Sequence, residues 1–217
     1  MKKNKLFYIS LISFIIVIVY ILLIKTVDVA NIGPNNSSVG LSHLNKWFLE
    51  TIGSNDSCYK ITKYLGLVPF LLVGYYGLIG LKELIKKKDL SKVDKKLLLL
   101  GIFYILVGAT YFFFEKVIIN YRPVLMDGEL EASFPSSHTM LALCVCASSL
   151  LISKNYFKEE SIRKGIDIGT WIVMIVLVVG RALSGVHWIT DIIGGILVSA
   201  FLVSLFYSSI KTVEKNK

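Results

Sequence analysis

Arg181, His187 and Asp191 fall in one short stretch between two apolar runs, Gly180-Arg181-Ala182-Leu183-Ser184-Gly185-Val186-His187-Trp188-Ile189-Thr190-Asp191. His187 and Asp191 are four positions apart, so a helix beginning near His187 puts both side chains on one face. A carboxylate that orients an imidazole and stabilises its charged form prepares histidine to act as a base or a nucleophile. Arg181 adds a planar fork suited to two oxygens of a phosphate or carboxylate. Taken alone, the stretch reads equally well as a loop arginine, a chance histidine and a helix-capping aspartate.

Two further segments change that balance. One is Asn120-Tyr121-Arg122-Pro123; the other is Ser133-Phe134-Pro135-Ser136-Ser137-His138, which opens an apolar run. Pro135 suits a first helical turn, and Ser136 and Ser137 suit capping or anion binding there. The free N–H groups and positive dipole end of that turn add to the same preference. The three segments hold two of the three Arg, two of the three His and two of the four Pro in the chain. Generic cations are supplied by Lys, 21 times. Two arginines, a helix N-terminus with hydroxyls and two histidines make a phosphate site. One histidine would attack and the other would protonate the leaving oxygen.

The elements that must position these residues are membrane helices. Hydrophobic residues make up 54% of the 217 and charged residues only 18%, which excludes an ordinary soluble domain. Six apolar runs are long enough to cross a bilayer, near 6–24, 64–81, 97–118, 136–152, 166–183 and 188–209. The expected fold is all-α: a polytopic membrane protein of six transmembrane helices, with the whole chain, 1–217, as one domain. The first run reads as an uncleaved helix, being longer than the core of a signal peptide. Between it and the second, Leu41, Leu44, Trp47, Phe48 and Ile52 recur at helical spacing among polar residues. That pattern predicts a short amphipathic external helix near 41–52, with His43 as a solvated side chain.

The net charge of +9 raises the question of nucleic acid. Seventeen of the 24 basic residues, from Lys2, Lys3 and Lys5 through the 82–96 and 154–164 links to Lys211, Lys215 and Lys217, occupy alternate connections. They therefore share one side of the membrane, which the positive-inside rule makes cytoplasmic. Both termini are expected in the cytoplasm, the Arg122 and Arg181 segments outside, and no nucleic-acid partner. Cys58, Cys144 and Cys146 imply neither a disulfide framework nor a metal cluster. Lys-rich, Arg-poor usage fits a bacterial plasma-membrane protein.

With those segments in view, the chain resembles the type 2 phosphatidic acid phosphatases (PAP2), the lipid phosphate phosphatase family. The family signature is a Lys followed by Arg-Pro, then Pro-Ser-Gly-His, then Ser-Arg with His six residues later and Asp four beyond. Order, spacing and six-helix topology agree along most of the chain. The resemblance implies that His187 is the nucleophile, forming a phospho-histidine, with Asp191 orienting it. His138 would be the general acid and then the base for water. Arg122, Arg181, Ser136 and Ser137 would bind phosphate, with no metal and no cofactor. The substrate would be a membrane lipid phosphate: an isoprenoid diphosphate, phosphatidylglycerophosphate or phosphatidic acid.

Three positions depart from the signature. Ser137 stands where the family has Gly, and Gly180 where it has Ser. Glu115 occupies the position of the family Lys, seven residues before Arg122; Lys116 comes one residue late, turned by about 100° on a helix. Lys116 is given a phosphate role through its long side chain. The rival expectation is a weak or inactive family member that binds or transports an anionic lipid. That protein would use the arginines and the helix N-terminus but would not need both histidines.

Overall fold

A computed structural model describes residues 2–215; Lys217 of the basic set lies outside the described residues. The α-helices are α1 (Lys2–Thr26), α2 (Ser42–Ile52), α3 (Asp56–Leu65), α4 (Val68–Lys87), α5 (Lys95–Lys116), α6 (Ser137–Tyr156), α7 (Glu160–Leu183) and α8 (Ile189–Lys215). Among the described residues there is no strand, only isolated bridges such as Tyr121 with Ala132. Six helical stretches are long and apolar enough to span a membrane, with α3 and α4 together forming the second. The chain is a multi-pass, all-α membrane protein.

The second span differs from the expected 64–81. It runs from Asp56 to Lys87 and breaks at Gly66 and Leu67, ahead of Val68-Pro69. Proline lacks an N–H and is tolerated in the first turn of a new helix, so the chain restarts there instead of continuing.

The helix α6 packs between α8, α7, α4 and α5, while α1 lies along α8. The buried core runs down this centre through Leu100, Phe103, Met140, Cys144, Leu202 and Phe206. Small residues allow the approach: a Cβ on Gly195 would stand 3.0 Å from Thr139. Ser199 donates to the Met140 carbonyl at 3.2 Å across the same seam. In lipid there is no hydrophobic drive between helices, so such close backbone contact and short hydrogen bonds hold the bundle. The large apolar side chains of α4, α5 and α7, such as Leu71, Ile105 and Ile168, point outward, as lipid-facing residues must.

Cross-helix bonds set the direction of the bundle. Ser10 accepts from Ser204 and Tyr20 donates to the Thr190 carbonyl, so α1 and α8 are antiparallel. The start of α1 and the end of α8 share one end of the molecule. Lys96 ties that end together by donating to Glu214 at 2.7 Å and Asn155 at 3.0 Å. The opposite end carries α2, α3, the 117–136 segment and the turn before α8.

The expected amphipathic helix is α2, and the face it turns to the protein is polar. Ser42 and Asn45 are buried while Leu44, Trp47 and Ile52 are exposed. Asn45 donates to the Gly40 carbonyl and to Thr190 Oγ1, and its Oδ1 accepts from the Thr190 N–H. The helix is therefore anchored by hydrogen bonds and turns its apolar residues outward.

Candidate active site

The start of α8 is a side-chain cap. Asp191 Oδ2 accepts from the Trp188 N–H at 3.0 Å, the reach-back half of a capping box. The helix therefore begins at Ile189, and His187 lies in the turn before it, not on its first face as the spacing suggested. Gly185 makes that turn possible, with φ +72 and Ser54 packed where its Cβ would be. His187 Nδ1 ends 3.9 Å from Asp191 Oδ2, too far to bond directly. The Ser133 hydroxyl stands between them, 3.1 Å from Nδ1 and 2.5 Å from Oδ2.

Ser133 and Arg122 arrive together. The 120–133 segment folds back on itself around Asp127 and Gly128, which both take positive φ. Arg122 N donates to the Glu131 carbonyl and Ser133 N to the Asn120 carbonyl. Two bonds then dock this loop on α8: Trp188 Nε1 donates to the Tyr121 carbonyl at 2.7 Å, and Asn120 Nδ2 to Asp191 Oδ1 at 3.3 Å. As a result the Arg122 guanidinium reaches His187 Nε2 at 3.1 Å and the Val186 carbonyl at 3.3 Å. Its Nε donates to Glu131 at 3.1 Å.

The third segment enters at the N-terminus of α6. The Ser136 N–H donates to the Asp191 carbonyl at 3.0 Å. Ser136 is the N-cap residue and makes no side-chain cap bond, so Pro135 precedes the helix and is not in its first turn as expected. Ser137 and His187 line one narrow cleft with Arg122, Ser133, Tyr111 and Glu115. His138 is half-buried, its ring against Gly66 at the break between α3 and α4.

Arg181 is 2% exposed, with its guanidinium 5.4 Å above the Tyr59 ring of α3. No carboxylate among the described residues pairs with it, and its Nε has no protein partner. Ser136 Oγ is likewise buried and unpartnered. Buried polar groups are nearly always satisfied, and these two expected phosphate binders are among six buried side-chain atoms of the described residues that are not. Gly180 has a structural reason as well: a Cβ there would come within 2.5 Å of Thr62 Cγ2. Without a side chain at 180, α3 packs close enough to bring Tyr59 over Arg181.

His187 is 3% exposed. Burial first, then the positive charges of Arg122 and Arg181, hold its imidazole well below the usual histidine range. It is neutral at physiological pH, the form a nucleophile requires.

The remaining expectations separate. Lys116 is exposed at the end of α5, and Glu115 is the member of that pair that lines the cleft. His43 is 92% exposed and sits 2.6 Å from Asp28, apart from the cleft. No group of three His, Cys, Asp or Glu among the described residues stands close enough to hold a metal. The sequence reading did not single out Ser133, Asn120, Glu131, Tyr59 and Asn45 as functional. Ser133 and Asn120 carried a signal, since each lies within a short motif with a candidate residue, Ser133 with Ser136 and His138 and Asn120 with Arg122.

A transmembrane PAP2 type phosphatidylglycerolphosphate phosphatase from Bacillus subtilis shares the fold, with a TM-score of 0.61 over 97% of this chain and 98% of that one. At 19% identity the likeness is one of fold. No curated protein sequence matches the chain. The family model for the PAP2 superfamily matches residues 96–215, which hold α5 through α8 and every candidate catalytic residue, and the chain belongs to that superfamily.

Proposed function

We propose that this chain, as a single six-helix unit, hydrolyses the phosphate monoester or diphosphate of a membrane lipid through a phospho-histidine on His187. Superfamily membership supports lipid phosphatase activity. The observation that carries the finer reading is the pair of orphaned buried groups, Arg181 Nε and Ser136 Oγ, beside a neutral buried His187. In the first step the Nε2 lone pair attacks phosphorus. The bond to the lipid oxygen breaks, and that oxygen leaves with the electron pair and takes a proton from His138. In the second step water attacks phosphorus and gives its proton to His138, and the phosphorus–nitrogen pair returns to Nε2. Arg122, Arg181, Ser136 and Ser137 hold the equatorial oxygens as charge builds on them. Lys116 adds a contact from the rim through its long side chain. Two arginines supply the positive charge that a metal would otherwise bring, so the scheme needs none.

The positive-inside rule places the Lys-rich end in the cytoplasm and the cleft at the outer face of the plasma membrane. There a headgroup rests at the interface while its chains stay in lipid. Phosphatidylglycerophosphate and isoprenoid diphosphates head the candidates, with phosphatidic acid after them.

A second reading, an anionic-lipid binder without turnover, draws on Glu115 in the cleft and Glu131 on Arg122, two carboxylates where a phosphate is to sit. The test is phosphate release by the detergent-solubilised protein from a panel of lipid phosphates and diphosphates, with EDTA present and His187→Ala alongside. Metal-independent release that vanishes in the variant supports the phosphatase. No release from any lipid, with binding retained, supports the binder.

A further inference from the structure

Donor and acceptor accounting around His187 leaves one tautomer. Arginine carries only donors, so Arg122, 3.1 Å from Nε2, makes that nitrogen an acceptor. In a neutral imidazole the proton is then on Nδ1. The acceptors it faces both belong to Ser133, the hydroxyl Oγ at 3.1 Å and the backbone carbonyl, since Asp191 Oδ2 is 3.9 Å away. The Ser133 hydroxyl, having accepted from Nδ1, gives its own hydrogen to Asp191 Oδ2 at 2.5 Å.

Neither end of this chain is free to close the gap. Asp191 Oδ2 also accepts from the Trp188 N–H, and Oδ1 from Asn120. Ser133 is fixed from its backbone, whose N–H donates to the Asn120 carbonyl at 2.9 Å. Ser133 and Asp191 are both buried, at 2% and 0% exposure, so solvent does not replace the hydroxyl at no cost.

We propose that Ser133 is a positioning residue for the reaction, a hydroxyl that links the Asp191 carboxylate to His187 and fixes the imidazole with Nε2 bare. This rests on the phosphatase reading above. When Nε2 bonds to phosphorus the ring becomes cationic and the Nδ1 proton stays in place. The hydrogen bond to Ser133 is then charge-assisted, and the carboxylate behind the hydroxyl polarises it further. Removing the hydroxyl cuts the link from Nδ1–H to the carboxylate and leaves only the Ser133 carbonyl to favour that tautomer.

The test uses full-length protein in detergent with nitrogen-15 histidine. The chain has only three histidines, and the His187 signal is the one missing from His187→Ala. The parent is expected to show a neutral ring protonated on Nδ1. Ser133→Ala is expected to lose that single tautomer and to lower kcat on the order of 10²- to 10⁴-fold, with KM changed by less than about threefold. Ser133→Thr restores both, and Ser133→Cys, a weaker donor of similar size, falls between. A purely structural serine would show lower thermal stability without a tautomer change. Should Ser133→Ala fail to fold, the Thr and Cys series carries the comparison. A parent ring protonated on Nε2, or Ser133→Ala with the parent's kcat and tautomer, overturns the proposal. If the parent releases no phosphate from any lipid, the phosphatase reading fails, while the tautomer series still decides whether Ser133 holds the ring.

Discussion

The ring of His138 rests on Gly66: a Cβ added to that glycine would stand 2.9 Å from His138 Cδ2. The break in the second span therefore falls where the chain meets the imidazole proposed as general acid. Gly66 has ordinary helical dihedrals, φ -61 and ψ -11. Alanine is therefore compatible with its backbone. Gly66→Ala is expected to leave thermal stability nearly unchanged while lowering kcat by roughly 10-fold or more, since a displaced catalytic group costs rate steeply. Parallel melting and turnover measurements check this; equal turnover in the two proteins would remove His138 packing from the account.

Arg181 lies buried with its guanidinium over the Tyr59 ring, 5.4 Å from the centroid. Lysine keeps the charge but neither stacks nor binds two oxygens at once. Arg181→Lys is expected to reduce kcat/KM about 10²-fold, whereas Tyr59→Phe, which keeps the ring, changes it by less than about threefold. Steady-state kinetics on the preferred lipid distinguish these outcomes.

Glu115 lines the cleft beside Arg122. Replacing its carboxylate by an amide removes a like-charge repulsion toward phosphate, worth about 1 kcal/mol at partly solvated separation. Glu115→Gln is expected to lower KM roughly fivefold, with the gain shrinking as salt is raised. A KM that rises instead would mean that Glu115 contacts a positive group on the substrate.

The depressed His187 also predicts acid sensitivity. Between its low folded value and the ordinary 6.5, the unfolded chain binds a proton that the folded chain does not. The stabilising contribution is thus complete above about pH 6.5 and lost as pH falls toward the folded value. His187→Asn is expected to flatten the pH dependence of the melting temperature in that window. Identical slopes in parent and variant would contradict a buried neutral ring.

Asn45 makes three bonds that tie α2 to Gly40 and Thr190, next in sequence to Asp191. Asn45→Leu fits a similar volume but orphans buried groups, at a cost of about 1–3 kcal/mol. The melting temperature should fall by about 2–4 °C per kcal/mol for a chain of this size. Unchanged stability would show that the three bonds contribute nothing.

Several of the residues that the fold brings together at the candidate site were already marked in the sequence. Arg122, His138, Arg181 and His187 stood out because Arg and His are scarce in this chain, three of each, and Ser136 and Ser137 because they precede His138 where an apolar run opens. Other features were misplaced by short-range reasoning. The spacing of His187 and Asp191 suggested a direct pair on one helix face. Asp191 instead caps its own helix, so the helix starts two residues after His187 and the ring turns toward Ser133. The amphipathic pattern of α2 gave no sign that Asn45 is the residue that ties its other face to the protein.

By itself the sequence determined the class of the protein and the chemistry available to it. Apolar run length answers to bilayer thickness, lysine placement to the sidedness of the membrane, and residue type to what can hold or attack a phosphate. Each is a local property of the chain. Tertiary structure alone decided which partners those groups have. Ser133 between His187 and Asp191, Tyr59 beneath Arg181, Glu115 in the cleft and Gly66 under His138 are contacts between segments far apart in sequence. Their distances depend on how α3, α6, α7, α8 and the 120–133 loop pack together, which no spacing within one segment encodes.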